Sequence, residues 1–196
     1  MDFQLTSDQD LIHLYIAGDE SGLQELIRRY QAKIYTSIYL LVKDEYLAED
    51  IFQDTFIKVI NTLKAGRYNE EGKFLPWVIR IAHNLVIDHF RREKRTPVIN
   101  NGDDFDIFEV LGRYDESIED KLVREQTHRD LKTLIHLLPS EQKEVLIMRH
   151  YGDLSFKEIA DITEVSINTA LGRMRYALNN LRKMLQSKES SLKLNN

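Results

Sequence analysis

The chain has 196 residues, 42% of them hydrophobic, and 27 Lys and Arg stand against 32 Asp and Glu for a net charge of −5. That length admits one globular domain or two small ones, and two are expected. No cysteine is present, which excludes a disulfide framework and any thiolate metal site and suits a reducing compartment, so a cytoplasmic location is expected.

The N-terminus lacks a basic segment followed by an apolar core. The longest apolar runs, such as IYLLV at residues 38–42, fall far short of the ~20 residues of a membrane span. A soluble, unexported chain is expected.

Apolar residues at helical spacing predict amphipathic helices over residues 8–17, 22–42, 46–64 and 76–92, and no stretch sustains a period of two. Asp19, Asp44 and Pro76 stand where helices start, and Gly18 and Gly66 where they stop. The third helix carries YLAEDIFQDTFIKVI, in which Asp50 and Asp54 lie one turn apart with Gln53 beside them. Carboxylates so spaced would bind a metal, assist acid–base chemistry, pair with a basic partner helix, or face water. No nearby histidine completes a metal set.

In the fourth helix an advance of 100° per residue lines up Trp77, Arg80, Asn84, Asp88 and Arg91, while Val78, Ala82, Leu85, Val86 and His89 form the buried side. An aromatic ring flanked by cations is a platform on which unpaired bases stack while phosphates are neutralised. A lone tryptophan serves equally well as a core or interface anchor.

From Thr96 to Asp120 the composition turns to Pro, Asn-Asn-Gly and dense acid; residues 99–125 carry a net −6 and residues 126–196 a net +3. Helices are expected beyond it near 122–137, 141–150, 156–161 and 167–185. The fold class is therefore all-α. Two small helical domains, 1–95 and 122–187, are joined by an acidic flexible linker at 96–121 and followed by a disordered tail at 188–196.

Within LSFKEIADITEVSINTALGRMRYAL, Ser155 and Glu158 form an S-x-x-E capping box and Ser166 is placed to cap the next helix, the spacing of a helix-turn-helix. Ala170, Leu171, Met174, Ala177, Leu178, Leu181 and Leu185 gather on one face, with Asn168, Thr169, Gly172, Arg175, Tyr176 and Asn179 opposite. Residues 166–183 include Arg173, Arg175, Arg182 and Lys183 and no acid. Gly172 costs about 1 kcal/mol of helix propensity relative to Ala, so something must approach that face closely. A DNA duplex fits: the arginines and helix N-terminus attract phosphates, while Asn168, Thr169 and Arg173 reach base edges in the major groove. A solvated amphipathic helix closing a small bundle is the plainer reading. Glu164 stands where such turns often carry Gly; it disfavours positive φ, and a differently built turn is expected.

The six histidines contain no H-E-x-x-H, and no phosphate-binding glycine loop or nucleophile elbow is present. No enzymatic activity, cofactor or metal is expected.

Taken in order, AEDIFQDTFIKV, FLPWVIRIAHNLVIDHFRR, the acidic linker and LPSEQKEVLIMRHYGDLSFKEIADITEVSINTALGRMRYALNNLRK resemble a sigma factor of bacterial RNA polymerase, of the compact sigma-70 type called extracytoplasmic-function or group 4. The likeness covers about residues 8–185. It implies a promoter-specificity factor with core RNA polymerase as partner. Asp50, Gln53 and Asp54 would bind the clamp helices of the largest subunit, and the second domain would meet the flap. It assigns Trp77, Arg80, Asn84 and Arg91 to the melted −10 non-template strand, with Tyr68 and Phe74 in or beside the pocket of a flipped base. Ser166, Asn168, Thr169, Gly172, Arg173 and Arg175 would serve the −35 duplex. Ile79 replaces a frequent aromatic, and Leu171 and Gly172 replace a frequent basic residue and Ser. The linker resembles the family's connector through basic polymerase channels, and an anti-sigma protein, often membrane-bound, is implied as a partner. The rival reading is a free-standing helix-turn-helix regulator that binds an operator without polymerase; it gives no reason for the Trp77 stripe or the Asp50 face. A helical adaptor without nucleic acid comes third.

Overall fold

The computed structural model describes residues 3, 5–69, 73–93, 131 and 133–194, with side chains as far as 187. Among the described residues there is no strand, and the helices fall into two compact units. The linker expected at 96–121, including Asp103, Asp104 and Asp106, and the start of the second domain lie outside the described residues.

The first unit consists of α1 (Asp8–Ile16), α2 (Ser21–Val42), α3 (Glu45–Lys64) and α4 (Phe74–Glu93). Ser7 caps α1, its Oγ accepting from the Asp10 amide at 3.1 Å, and Asp44 caps α3, accepting from the Leu47 amide at 2.8 Å. Asp19 stands one residue earlier than a cap: the N-cap of α2 is Glu20, and Asp19 Oδ1 instead accepts from the Ser21 amide at 2.9 Å. Pro76 is the third residue of α4 rather than its start; within the first turn its missing N–H deprives no carbonyl of a partner.

Gly18 and Gly66 end α1 and α3 at φ 101° and 63°. In each case the following amide closes back on the last turn, Asp19 on the Leu14 carbonyl and Arg67 on the Thr62 carbonyl. The core gathers Leu11, Leu26, Ile34, Ile38, Val59, Leu63, Phe74 and Val78, each at most 1% exposed. At Gly22 the backbones of α1 and α2 meet so closely that a Cβ would lie 2.2 Å from the Leu11 carbonyl oxygen. Glu25, 8% exposed, receives Arg28 in a two-pronged pair at 2.7 and 2.8 Å and Arg29 at 2.9 Å. The Arg28 and then the Arg29 guanidinium hold its carboxyl down at about 2.

The second unit is built from helical residues 133–136, α5 (Ser140–His150), α6 (Phe156–Ile162) and α7 (Ile167–Leu194). Val145, Ile147, Leu154, Ile159, Ala170 and Ala177 form its core, each at most 1% exposed. Asn180 donates to Gln142 at 2.9 Å and ties α7 to α5. The last helix does not stop at Leu185, and its backbone is helical to Leu194. Residues 188–194, expected as part of a polar tail, continue that helix in their backbone. No Gly or Pro follows Gly172, and Gln, Lys, Glu and Leu all propagate helix well.

Candidate polymerase and nucleic-acid surfaces

On α3, Glu49, Asp50, Gln53 and Asp54 are all exposed. Gln53 Nε2 donates to Glu49 Oε1 at 3.1 Å, while Asp50 and Asp54 take part in no ion pair with a described residue. Tyr46, 85% exposed, and Ile57, 54% exposed, bracket this acid on the same line of the helix. A water-facing acidic strip flanked by two bare apolar side chains suits a basic, partly apolar partner better than it suits a metal, and the described residues hold no metal-ligating cluster. The 46, 50, 53, 57 spacing puts the two apolar ends in line with the carboxylates and is legible in the sequence.

On α4 the expected stripe forms. Trp77 is half-buried, and Arg80, Asn84, Asp88 and Arg91 are exposed. Arg91 leans toward Asp88 at 3.8 Å, a contact that water screens. Val78, Ala82, Leu85 and Val86 are buried as expected, whereas His89 stays half-exposed beside Glu93 at 3.4 Å. Tyr68, from the loop after α3, packs on Trp77 with ring centroids 4.6 Å apart. Phe74 is 1% exposed and lies against Trp77 with ring centroids 5.9 Å apart, so its own ring is closed to an outside ligand. Ile79 is 2% exposed and belongs to the core.

The buried side of α4 also holds a histidine that helical spacing alone does not place there. His83 is 6% exposed, and neither ring nitrogen makes a well-formed hydrogen bond among the described residues. Burial pushes its pKa down to about 4, so the imidazole is neutral at physiological pH.

The helix-turn-helix is built on a complete capping box. Glu158's amide donates to Ser155 Oγ at 3.3 Å, and Ser155's amide donates to Glu158 Oε2 at 2.7 Å. The turn is not differently built after all. Glu164 adopts φ 55°, and the Val165 amide closes on the Ala160 carbonyl at 3.0 Å. This is the same stop made by Gly18 and Gly66, with a side chain tolerated at the left-handed residue because the flanking helices fix it.

Ser166 caps α7, its Oγ accepting from the Thr169 amide at 3.1 Å and lying 2.8 Å from the Thr169 hydroxyl. Asn168, Thr169, Arg175 and Tyr176 are exposed, and a Cβ at Gly172 would meet nothing within 4 Å. The glycine is therefore not required by the protein's own packing. Arg173 is half-buried instead of standing on the open face, and its charge acts on Glu144 of α5, whose carboxyl burial pushes up. The apolar face is narrower than the wheel suggested: Ala170, Ala177 and Leu181 are buried, but Leu171, Leu178 and Leu185 are 43%, 47% and 40% exposed.

Comparison with known proteins places both units in one family. The family described as Sigma-70 region 2 matches residues 26–96, and Sigma-70, region 4 matches residues 128–181. The RNA polymerase sigma-H factor of Pseudomonas aeruginosa is 29% identical over 183 residues, covering 91% of this chain and 94% of that protein. The ECF RNA polymerase sigma factor SigW of Bacillus subtilis is 28% identical over 177 residues, covering 86% and 91%. Among solved structures, the sigma factor RpoE of Bartonella quintana, determined with the anti-sigma factor NepR, shares the fold with a TM-score of 0.65 at 20% identity, covering 85% of this chain and 98% of that one. With both regions matched in order, and with relatives of this type along nearly its whole length, the chain belongs to the sigma-70 family as an extracytoplasmic-function sigma factor.

Proposed function

We propose that the protein binds core bacterial RNA polymerase, directs it to promoters and opens the −10 element, with the labour divided among the three surfaces. The acidic strip of α3, centred on Asp50, Gln53 and Asp54, docks on the clamp helices of the largest subunit, and Tyr46 and Ile57 add apolar anchors at its ends. Coulomb attraction speeds that encounter, and the apolar ends lengthen its stay. The second unit meets the flap. On α7, Asn168, Thr169, Arg175 and the N-terminal amides capped by Ser166 meet the −35 duplex, Gly172 lets the backbone come close, and Arg173 reaches in from the α5 side.

Opening the −10 element requires unpairing at a cost of a few kcal/mol per flipped base. Trp77 and Tyr68 supply stacking surface, while Arg80, Asn84 and Arg91 neutralise or bond the displaced non-template strand. The protein contributes binding and strand separation; the bond-making chemistry belongs to the polymerase. It works in the cytoplasm, where polymerase and promoter are. Relatives in solved structures are held by anti-sigma factors, and a partner of that class, soluble or membrane-bound, is the natural regulator here.

The observation that carries this reading is the pairing, in one unit, of an exposed acidic strip on α3 with an aromatic and cationic stripe on α4. A free-standing operator-binding regulator needs neither. Charge reversal at Asp50 and Asp54 to Lys tests it: affinity for core polymerase should fall about tenfold or more, with helical content unchanged. Unchanged affinity would remove the polymerase-docking role from α3.

A further inference from the structure

In the first unit a continuous set of contacts runs from α1 to the strand-facing surface. Both carboxylate oxygens of Asp8 are occupied: Oδ1 accepts from Arg29 at 3.0 Å, and Oδ2 accepts from the Tyr30 hydroxyl at 2.7 Å. Arg29 is itself fixed, donating to the Thr6 and Phe3 carbonyls at 2.8 and 2.5 Å and to Glu25 at 2.9 Å. The Tyr30 ring then lies 5.9 Å from Phe74, Phe74 5.9 Å from Trp77, and Trp77 4.6 Å from Tyr68. Each step is at ring-packing distance, and Phe74 in the middle is fully enclosed.

We propose that Tyr30 is a positioning residue for strand capture: anchored by Asp8 and packed on Phe74, it holds the Trp77 and Tyr68 platform in its base-accepting orientation. The inference rests on the assignment of α4 to the melted strand. It adds a part for α1, which lies ahead of residue 26, where the region 2 match begins.

The physical reason is preorganisation. A stacking surface free to turn loses rotamer freedom when a base arrives, and that loss is subtracted from binding; a surface already fixed loses none. Tyr30 suits the task because its ring faces the aromatic cluster while its hydroxyl reaches a carboxylate that is itself doubly held. Burial, and then the Asp8 hydrogen bond, push the phenol's pKa up, so it remains a neutral donor. Phenylalanine at position 30 would keep the packing and release the anchor.

The test uses holoenzyme and a labelled single-stranded oligonucleotide carrying the non-template −10 sequence of a start site mapped with this protein. Tyr30→Phe and Asp8→Asn should each weaken oligonucleotide binding about five- to tenfold while leaving affinity for core polymerase unchanged. Trp77 is the only tryptophan of this chain, so in the isolated protein its fluorescence reports directly on the platform, and acrylamide should quench it more readily in both variants. Trp77→Ala is the reference. If it loses oligonucleotide binding while Tyr30→Phe binds as the parent does, the positioning role is wrong and the strand-binding surface stands. A parallel fall in oligonucleotide and polymerase affinity would make Tyr30 a general structural residue and also overturn the role. If Trp77→Ala keeps full oligonucleotide binding, the assignment of α4 itself fails, and the role of Tyr30 with it.

Discussion

At Gly172 an added Cβ would meet no neighbour within 4 Å, so Gly172→Ala has no packing penalty and gains about 1 kcal/mol of helix propensity. The variant should melt later than the parent and yet bind the −35 duplex several-fold more weakly; equal duplex affinity would mean that nothing approaches this face closely. His83 gives a second residue-scale prediction, with a sign fixed by linkage. Its pKa falls from 6.5 to about 4 on folding, so between those values the unfolded chain holds a proton that the folded unit refuses. Stability is full above pH 6.5 and is lost as pH falls toward 4, by about 2 kcal/mol between pH 7.5 and 5.0. Urea unfolding at the two pH values should show that loss, and His83→Leu should flatten it. Polar residues at the surfaces, such as Asn84, Arg80 and Asn168, were legible from helical spacing because period alone sets which way a side chain points. The burial of His83 and Phe74 and the inward lean of Arg173 depend on neighbouring helices, which no single-helix wheel contains.

Helix ends were legible where one residue carries the signal. Asp44, Ser155, Ser166, Gly18 and Gly66 all act at the ends they mark. Glu164 was misread because propensity speaks for a residue in isolation; two helices whose other contacts are satisfied hold it at φ 55° regardless. The α1–α2 crossing at Gly22 was invisible in the sequence, since a glycine in the first turn of a helix gives no hint of what passes over it. Gly22→Ala drives a Cβ into the Leu11 carbonyl, and it should destabilise the first unit by about 1–3 kcal/mol, measured as an earlier thermal transition of that unit. Because α1 also carries Asp8, displacing it should weaken strand capture as well as stability. The reach of α7 beyond Leu185 to Leu194 was not legible from amphipathic spacing, since a polar stretch of good helix formers carries no apolar period.

For the whole molecule, the distribution of charge matters more than its sum. A net −5 says little about a chain whose residues 99–125 carry −6 and residues 126–196 carry +3. The acid of α3 is exposed, and on the proposed assignment it serves a protein partner while the acid-free stretch 166–183 serves nucleic acid. One short basic helix makes few phosphate contacts, so the isolated protein should bind duplex DNA weakly and with a shallow dependence on salt. Specific recognition then depends on polymerase holding both units on one promoter, where the second contact is made at high effective concentration. The most direct measurement of that claim is transcription from a pool of genomic fragments by purified core polymerase, with and without the protein, at fixed salt. The account predicts discrete start sites only when the protein is added, reduced by Trp77→Ala at strand opening and by Arg175→Ala at duplex binding. Protection of specific duplex sites by the protein alone, with no binding to core polymerase and no initiation, would contradict it.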